Sequence, residues 1–191
     1  MYKRQSLSSS GFYSTPKINF DKKNFKGRPF YYFCYGSAVT EVTIDTLTGE
    51  SVLDRVDILQ DAGNAINPAL EHGLIEGGFI QGQGWLTMEE VVWGNDGKIK
   101  TFSPSTYKIP AVTDIPKIFN VEIFKNGFNL EKVVNKAKTT GEPPLMLAMS
   151  VFFAIKDAIA SISNYNTIPD LSAPATAEKI LLSIKNLKNI V

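Results

Sequence analysis

The 191 residues include one cysteine, Cys34, and one histidine, His72. A single cysteine excludes an internal disulfide framework, and alone it cannot hold an iron–sulfur cluster. With no His-x-x-x-His pair and no cysteine pair, the usual signatures of a protein-ligated zinc are missing, so no residue is assigned as a metal ligand. His72 reads as a helix-face residue and Cys34 as a small packed hydrophobe in a reducing compartment. An excess of one charge is lacking too: 20 Lys and Arg face 19 Asp and Glu, for a net charge of +1. The lysines are scattered, which argues against a nucleic-acid partner. Long hydrophobic runs are also wanting. The longest, residues 145–155, falls short of the ~20 residues a bilayer span needs. The opening residues lack the apolar core of a signal peptide. These absences predict a soluble, cytoplasmic protein without a membrane partner.

Phosphate-binding loops are absent as well. "EGGFIQGQG" is not closed by Gly-Lys-Ser/Thr, and its spacing does not fit a dinucleotide fingerprint.

What is present is an ordinary globular composition, 43% hydrophobic and 20% charged, enough for one domain or two small ones. Residues 1–28 are polar and without period, and are read as an extended N-terminal arm. "AVTEVTID" alternates apolar and polar, "TLTGE" supplies a turn, and "SVLDRVDILQD" alternates again, so residues 29–61 predict a β-hairpin. Asn67 followed by Pro68 is a strong helix start. The helix predicted over 68–90 carries glycines at 73, 77, 78, 82 and 84. Each costs ~1 kcal/mol relative to alanine, so this helix is expected to approach another backbone or a ligand closely. "WGNDGKI" predicts a turn between two short strands, and "FNVEIF" one more strand. The run from Gly141 to Ile162 reads as a buried helix, apolar all round until Lys156 and Asp157, and residues 176–186 as a final amphipathic one. The fold class is α+β, with mixed strands and two or three long helices.

The residue pattern that carries chemistry is "TTGEPPLMLAMSVFF". Glu142 precedes two prolines that fix φ at successive positions, and Pro143 is expected to bias Glu142 away from the α region. One reading is a carboxylate favoured by the helix dipole. The other is a general base held rigidly within reach of the proton it removes.

These residues, together with "SPSTYKIPAVTDIP", "DILQDAGNAINPALEHGLIEGGFIQGQGWLTMEEVVW" and "YFCYGSAVTEVTIDTLTGE", occur in the same order as in the molybdenum-binding subunit of the xanthine oxidase/aldehyde oxidase family. The chain resembles its xanthine dehydrogenase branch over residues 6–187, and its "PDLSAPATAEKIL" tail is most similar to the bacterial two-subunit form. The resemblance implies that residues 29–191 are the C-terminal part of the molybdopterin-binding domain. It implies Mo-molybdopterin as cofactor, bound mainly by upstream residues, and Glu142 as the base in hydroxylating hypoxanthine or xanthine to urate with oxygen from water. Gln81 and Gly82 would neighbour the cofactor. Electrons would leave through 2Fe-2S clusters and FAD, on a partner domain or subunit, to NAD. The implied partners are the upstream part of the molybdenum subunit, the FAD/iron–sulfur subunit and the purine.

One departure stands out. Where the family places a glutamine near the molybdenum, this chain has Leu74, which donates no hydrogen bond. Gln81 or Gln83 would have to compensate. The alternatives are another molybdenum hydroxylase, of aldehyde or CO oxidoreductase type, and an inactive remnant or scaffold. The chain by itself is expected to be inactive.

Overall fold

The computed structural model describes residues 8–190, with side chains up to Lys188. The chain divides after Phe33 into two compact units. The first seven residues of the expected arm lie outside the described residues. The rest of the arm holds a small antiparallel hairpin, β1 (Asn19–Asp21) against β2 (Lys26–Arg28). Its turn is closed by Asp21, whose carboxylate accepts from the Lys23 N–H at 2.9 Å and from the Asn24 side chain at 2.7 Å. Local side-chain capping of this kind leaves no hydrophobic period.

The second unit is built on a three-stranded mixed sheet. Strands β3 (Gly36–Ile44) and β4 (Ser51–Gln60) form the expected hairpin, antiparallel with a bulge between Glu41 and Val42. Gly49, at φ +77°, lets the connecting turn close, and its N–H donates to the Asp45 carbonyl. After α1 (Pro68–Thr87), β5 (Ile118–Ile123) joins the other side of β4 in parallel. A parallel neighbour requires a crossover, and α1 is that crossover. Helices α2 (Met149–Ala160) and α3 (Ala177–Ile190) complete an α+β unit.

The bulge shifts the alternation of β4, so that Leu53 on one side of it and Val56 and Ile58 on the other all reach the core. There they meet Ile75 and Phe79 of α1, Val121 of β5, Val151, Ile155 and Ile159 of α2, and Ile180, Ile184 and Leu187 of α3. The opposite face is polar. Lys117 and Thr43 hold the Asp54 carboxylate, while Arg55 and Asn120 hold that of Asp57 at 2.6 and 2.7 Å.

Helix α1 starts as its sequence predicts: Asn67 accepts from the Leu70 N–H at 3.2 Å, with Pro68 at the first helical position. It stops at Thr87, short of Glu90, where the Met88 and Glu89 N–H groups both turn back to the Gly84 carbonyl. The strands expected around "WGNDGKI" reduce to one bridge between Trp93 and Ile99.

The apolar run after Glu142 differs more from its expected form. Residues Pro143–Ala148 are a 3-10 turn leading into α2, because two successive prolines remove the first donors and the Leu145 N–H closes onto the Glu142 carbonyl at 3.1 Å. The continuous helical stretch Pro143–Ser163 has mean hydropathy 1.8 and is long and apolar enough, by composition, to cross a membrane. The shorter run counted from sequence missed this. The stretch is nonetheless a core element, with Ala148, Val151, Ile155 and Ile159 fully buried. It is not buried all round, however: Met146 is 61% and Phe153 55% exposed.

The five glycines of α1 divide into classes. A Cβ on Gly82 would overlap the Leu145 carbonyl oxygen and crowd Ala148, one on Gly78 would lie 2.9 Å from the Gly141 carbonyl oxygen, and one on Gly84 would strike Glu89 and Pro110. At Gly73 and Gly77 a Cβ would meet nothing. Substitution by alanine is therefore expected to have opposite signs. Gly77→Ala should raise unfolding stability by about 0.5–1 kcal/mol, while Gly82→Ala should lower it by about 1–3 kcal/mol through overpacking; paired urea midpoints measure both. A second expectation concerns pH. The hydrogen bonds from Arg55 to Asp57 and from Lys117 to Asp54 hold both carboxyls below their ordinary value. A depressed folded value contributes stability that is complete above about pH 4 and is lost as pH falls through the folded values. Urea midpoints should drop across that acid window, and Asp57→Asn should make the drop shallower.

Candidate functional site

The segment leading to Glu142 is tied to the sheet domain at several points. The Lys138 N–H donates to the Ala62 carbonyl at 2.8 Å, the Asn64 N–H to the Lys136 carbonyl at 3.1 Å, and Gly63 bridges Ala137. The Lys138 side chain, only 7% exposed, runs inward to Asp61, its Nζ 2.5 Å from Oδ2. The same ammonium lies 5.0 Å from the centroid of the Tyr35 ring. Asp61 is held in turn by the Gly63 N–H at 2.8 Å. Cys34 donates its thiol to the Thr139 carbonyl at 3.2 Å, and Thr140 is buried.

Beyond this anchor the chain opens. Gly141 is exposed, with open space where a Cβ would stand. Glu142 is exposed as well, and among the described residues its carboxylate has no hydrogen bond and no ion pair; it does not cap the helix either. Its backbone sits in the α region at φ −101°, ψ −37°. The expected bias away from that region is overridden, because the 3-10 turn closed by Leu145 requires it. Pro144 is buried beside Gly78, so the carboxylate stands at the edge of a rigid turn.

Along α1, Leu74, Gly77, Gln81 and Trp85 follow one another at helical spacing and share a strip one position away from the Gly78–Gly82 seam. All four are exposed. Gln81 thus presents a free amide on the open side of the helix. Gly82, buried under Leu145 and Ala148, serves as a packing point. Gln83 is engaged elsewhere: it is 1% exposed and donates its amide to the Asp114 carbonyl at 2.7 Å. Of the two glutamines that could compensate for Leu74, Gln81 alone faces outward.

His72 is occupied by structure, its Nε2 3.0 Å from the Val121 carbonyl and its Nδ1 3.4 Å from Glu76. Among the described residues no group of three or more His, Cys, Asp or Glu could hold a metal ion. A metal at this place would arrive on its own organic ligand. The residues missed in sequence are Asp61, Lys138 and Tyr35. Asp61 and Lys138 are 77 positions apart, so only the fold pairs them, and neither lies in a motif of its own.

Known proteins place this architecture. The molybdopterin cofactor-binding domain matches residues 1–116. The chain is 48% identical over 191 residues to a xanthine dehydrogenase of Oryza sativa subsp. japonica, covering 94% of this chain and 14% of that protein. It is 46% identical to the xanthine dehydrogenase/oxidase of Felis catus, covering 92% of this chain and 14% of that one. The chain therefore spans about a seventh of the length of these relatives. Among solved structures, quinoline 2-oxidoreductase from Pseudomonas putida 86 superposes with a TM-score of 0.67 at 28% identity, over 75% of this chain and 18% of the other. The aldehyde oxidoreductase of Desulfovibrio gigas gives 0.62 at 28% identity, over 83% and 16%.

The surroundings of Cys34 generate one expectation. Burial pushes its thiol above the ordinary value, and the nearby Lys138 charge offsets this only in part. The thiolate is the reactive form, so alkylation by iodoacetamide should require higher pH in the native chain than in urea. Native and unfolded rate–pH curves measure the displacement, and coincident curves would contradict it.

Proposed function

Because the chain belongs to the molybdopterin cofactor-binding domain family, we propose that it forms one wall of the catalytic site of a xanthine dehydrogenase-type molybdenum hydroxylase, with Glu142 as the general base. The observation that carries this reading is Glu142 itself: an exposed carboxylate, unpartnered among the described residues, on a turn stiffened by two prolines and packed against a glycine seam. Glu142 caps no N–H and pairs with no cation among the described residues, so its part in the fold is at most that of a charge near a helix start. A base needs instead an accessible oxygen on a fixed backbone.

The residues present fit a molybdenum–pterin group. Gly73, Gly77 and Gly141 leave open backbone where side chains would otherwise intrude, and Gln81 offers an amide on the same side of α1. Gly82 contributes by letting the helix approach the turn. When bound, the molybdenum–pterin group supplies two-electron oxidation of the substrate with oxygen derived from water. Glu142 would serve as the proton acceptor in that chemistry, and Pro143 and Pro144 would keep its backbone from swinging away. Purines as substrates are supported by relatives above 45% identity that are named for xanthine, the two described above among them; the quinoline and aldehyde enzymes stand at 28%. The remaining pterin contacts, the 2Fe-2S clusters, FAD and the site for NAD belong to the other parts of such an enzyme. Exposed Leu70, Trp85, Met146 and Phe153 provide apolar surface against which those parts would pack.

A second reading, a non-catalytic scaffold, rests on Leu74, which faces the open strip without a donor. One experiment separates the two. In the assembled enzyme, Glu142→Gln is expected to retain molybdenum and to lower xanthine turnover by about 10²–10⁴-fold, the usual contribution of a general base. Stoichiometric metal with a near-normal rate would remove Glu142 from the mechanism. Absence of both metal and turnover in the unsubstituted protein would favour the scaffold.

A further inference from the structure

We propose that the buried Lys138–Asp61 pair, roofed by Tyr35, is a positioning device that sets the backbone of Glu142. The proposal rests on the reading of Glu142 as the base. Burying an ammonium is costly unless it is paired and hydrogen-bonded, and Lys138 is buried four residues before the exposed carboxylate, in the anchored segment that runs to Thr140. Nothing about a surface turn requires that. The Ala62 carbonyl takes the Lys138 N–H, the Asp61 carboxylate takes its ammonium, and the Cys34 thiol reaches the next carbonyl, that of Thr139. Three interactions thus converge on two residues.

After Thr140 the support changes character. Gly141 meets nothing at its Cβ position and has the widest backbone freedom of any residue type. The place of Glu142 is then decided from two sides. Downstream, Pro144 is seated on Gly78. Upstream, Lys138 is locked to Asp61, which is itself fixed by the Gly63 N–H at the end of β4. Release of the upstream side leaves a glycine hinge next to the base. Because a shift of about 1 Å at a reacting group can cost about a hundredfold in rate, the ion pair acts on chemistry through geometry. It touches neither substrate nor cofactor.

The test uses the assembled, molybdenum-loaded enzyme with xanthine as substrate. Lys138→Met, Asp61→Asn and the double variant, which removes both charges together, are compared alone and in a Glu142→Gln background. Turnover, KM, molybdenum content and amide hydrogen exchange are read for each. Expected for Lys138→Met is a ten- to hundredfold fall in kcat with KM and metal content unchanged. Exchange should accelerate at least tenfold for the amides of residue 138 and Leu145, which donate to the Ala62 and Glu142 carbonyls, and stay unaltered in β4. In the Glu142→Gln background the same substitution should accelerate exchange but cost no further rate. An equal loss of rate in both backgrounds would overturn the proposal, as would unchanged exchange. Loss of metal or of β4 protection in both the single and the double variant would assign the pair to folding alone and overturn it too. If Glu142→Gln by itself left turnover intact, the base reading would fail, while exchange would still report whether the pair holds the segment.

Discussion

The close approach of α1 to residues 141–148 is the contact on which the rest of this structure depends. A helix can let another backbone come this close to its own only where no Cβ intervenes. Gly78 and Gly82 provide that along one seam, where the Gly141 and Leu145 carbonyls occupy the space side chains would fill. Through this seam the 3-10 turn is pressed onto the helix, Pro144 and Ala148 are buried, and α2 is directed across the sheet so that Val151, Ile155 and Ile159 reach the core. An intrinsically poor helix, weakened by its glycines, is thereby stabilised by tertiary packing.

The same seam leaves Glu142 outside. Its neighbours on either side are fixed, yet the side chain has no partner among the described residues. Most charged groups of the sheet's polar face are the reverse, with Asp54 and Asp57 each meeting a cation and a neutral donor. Surface pairs of that kind contribute little individually, and they mark a face whose charges are satisfied. Glu142 is instead an exposed, water-accessible carboxylate on a rigid support, next in the chain to the residues that pack on the Gly78–Gly82 seam. The exposed strip of α1 and the apolar surface of Met146 and Phe153 fit a chain that spans about a seventh of its relatives' length.

Legibility in the sequence followed the range of each interaction. The β3–β4 hairpin was readable because alternation and the Gly49 turn are local. The start of α1 was readable because Asn67 and Pro68 act within one turn. The α3 helix was readable from its apolar period. The 3-10 entry to α2 was not foreseen, since its cause is a compromise between two prolines and the carbonyl of Glu142. The hairpin in the N-terminal arm escaped notice because Asp21 and Asn24 build it without hydrophobic pattern. Glycine counting said that α1 must approach something closely, but it did not say which glycines would be filled and which left open.

The order of residues by itself determined where the β3–β4 hairpin and α1 begin, their apolar faces, and that Glu142 sits between a glycine and two prolines, because propensity, capping and ring closure act between neighbours along the chain. Only the tertiary structure decided that Lys138 would meet Asp61 across 77 positions, that Gln83 would be consumed by the Asp114 carbonyl while Gln81 stayed exposed, and that α2 would bury one face and leave another bare. Those outcomes depend on which surfaces the sheet brings within van der Waals distance, and no local pattern encodes a contact whose two halves are far apart in the chain.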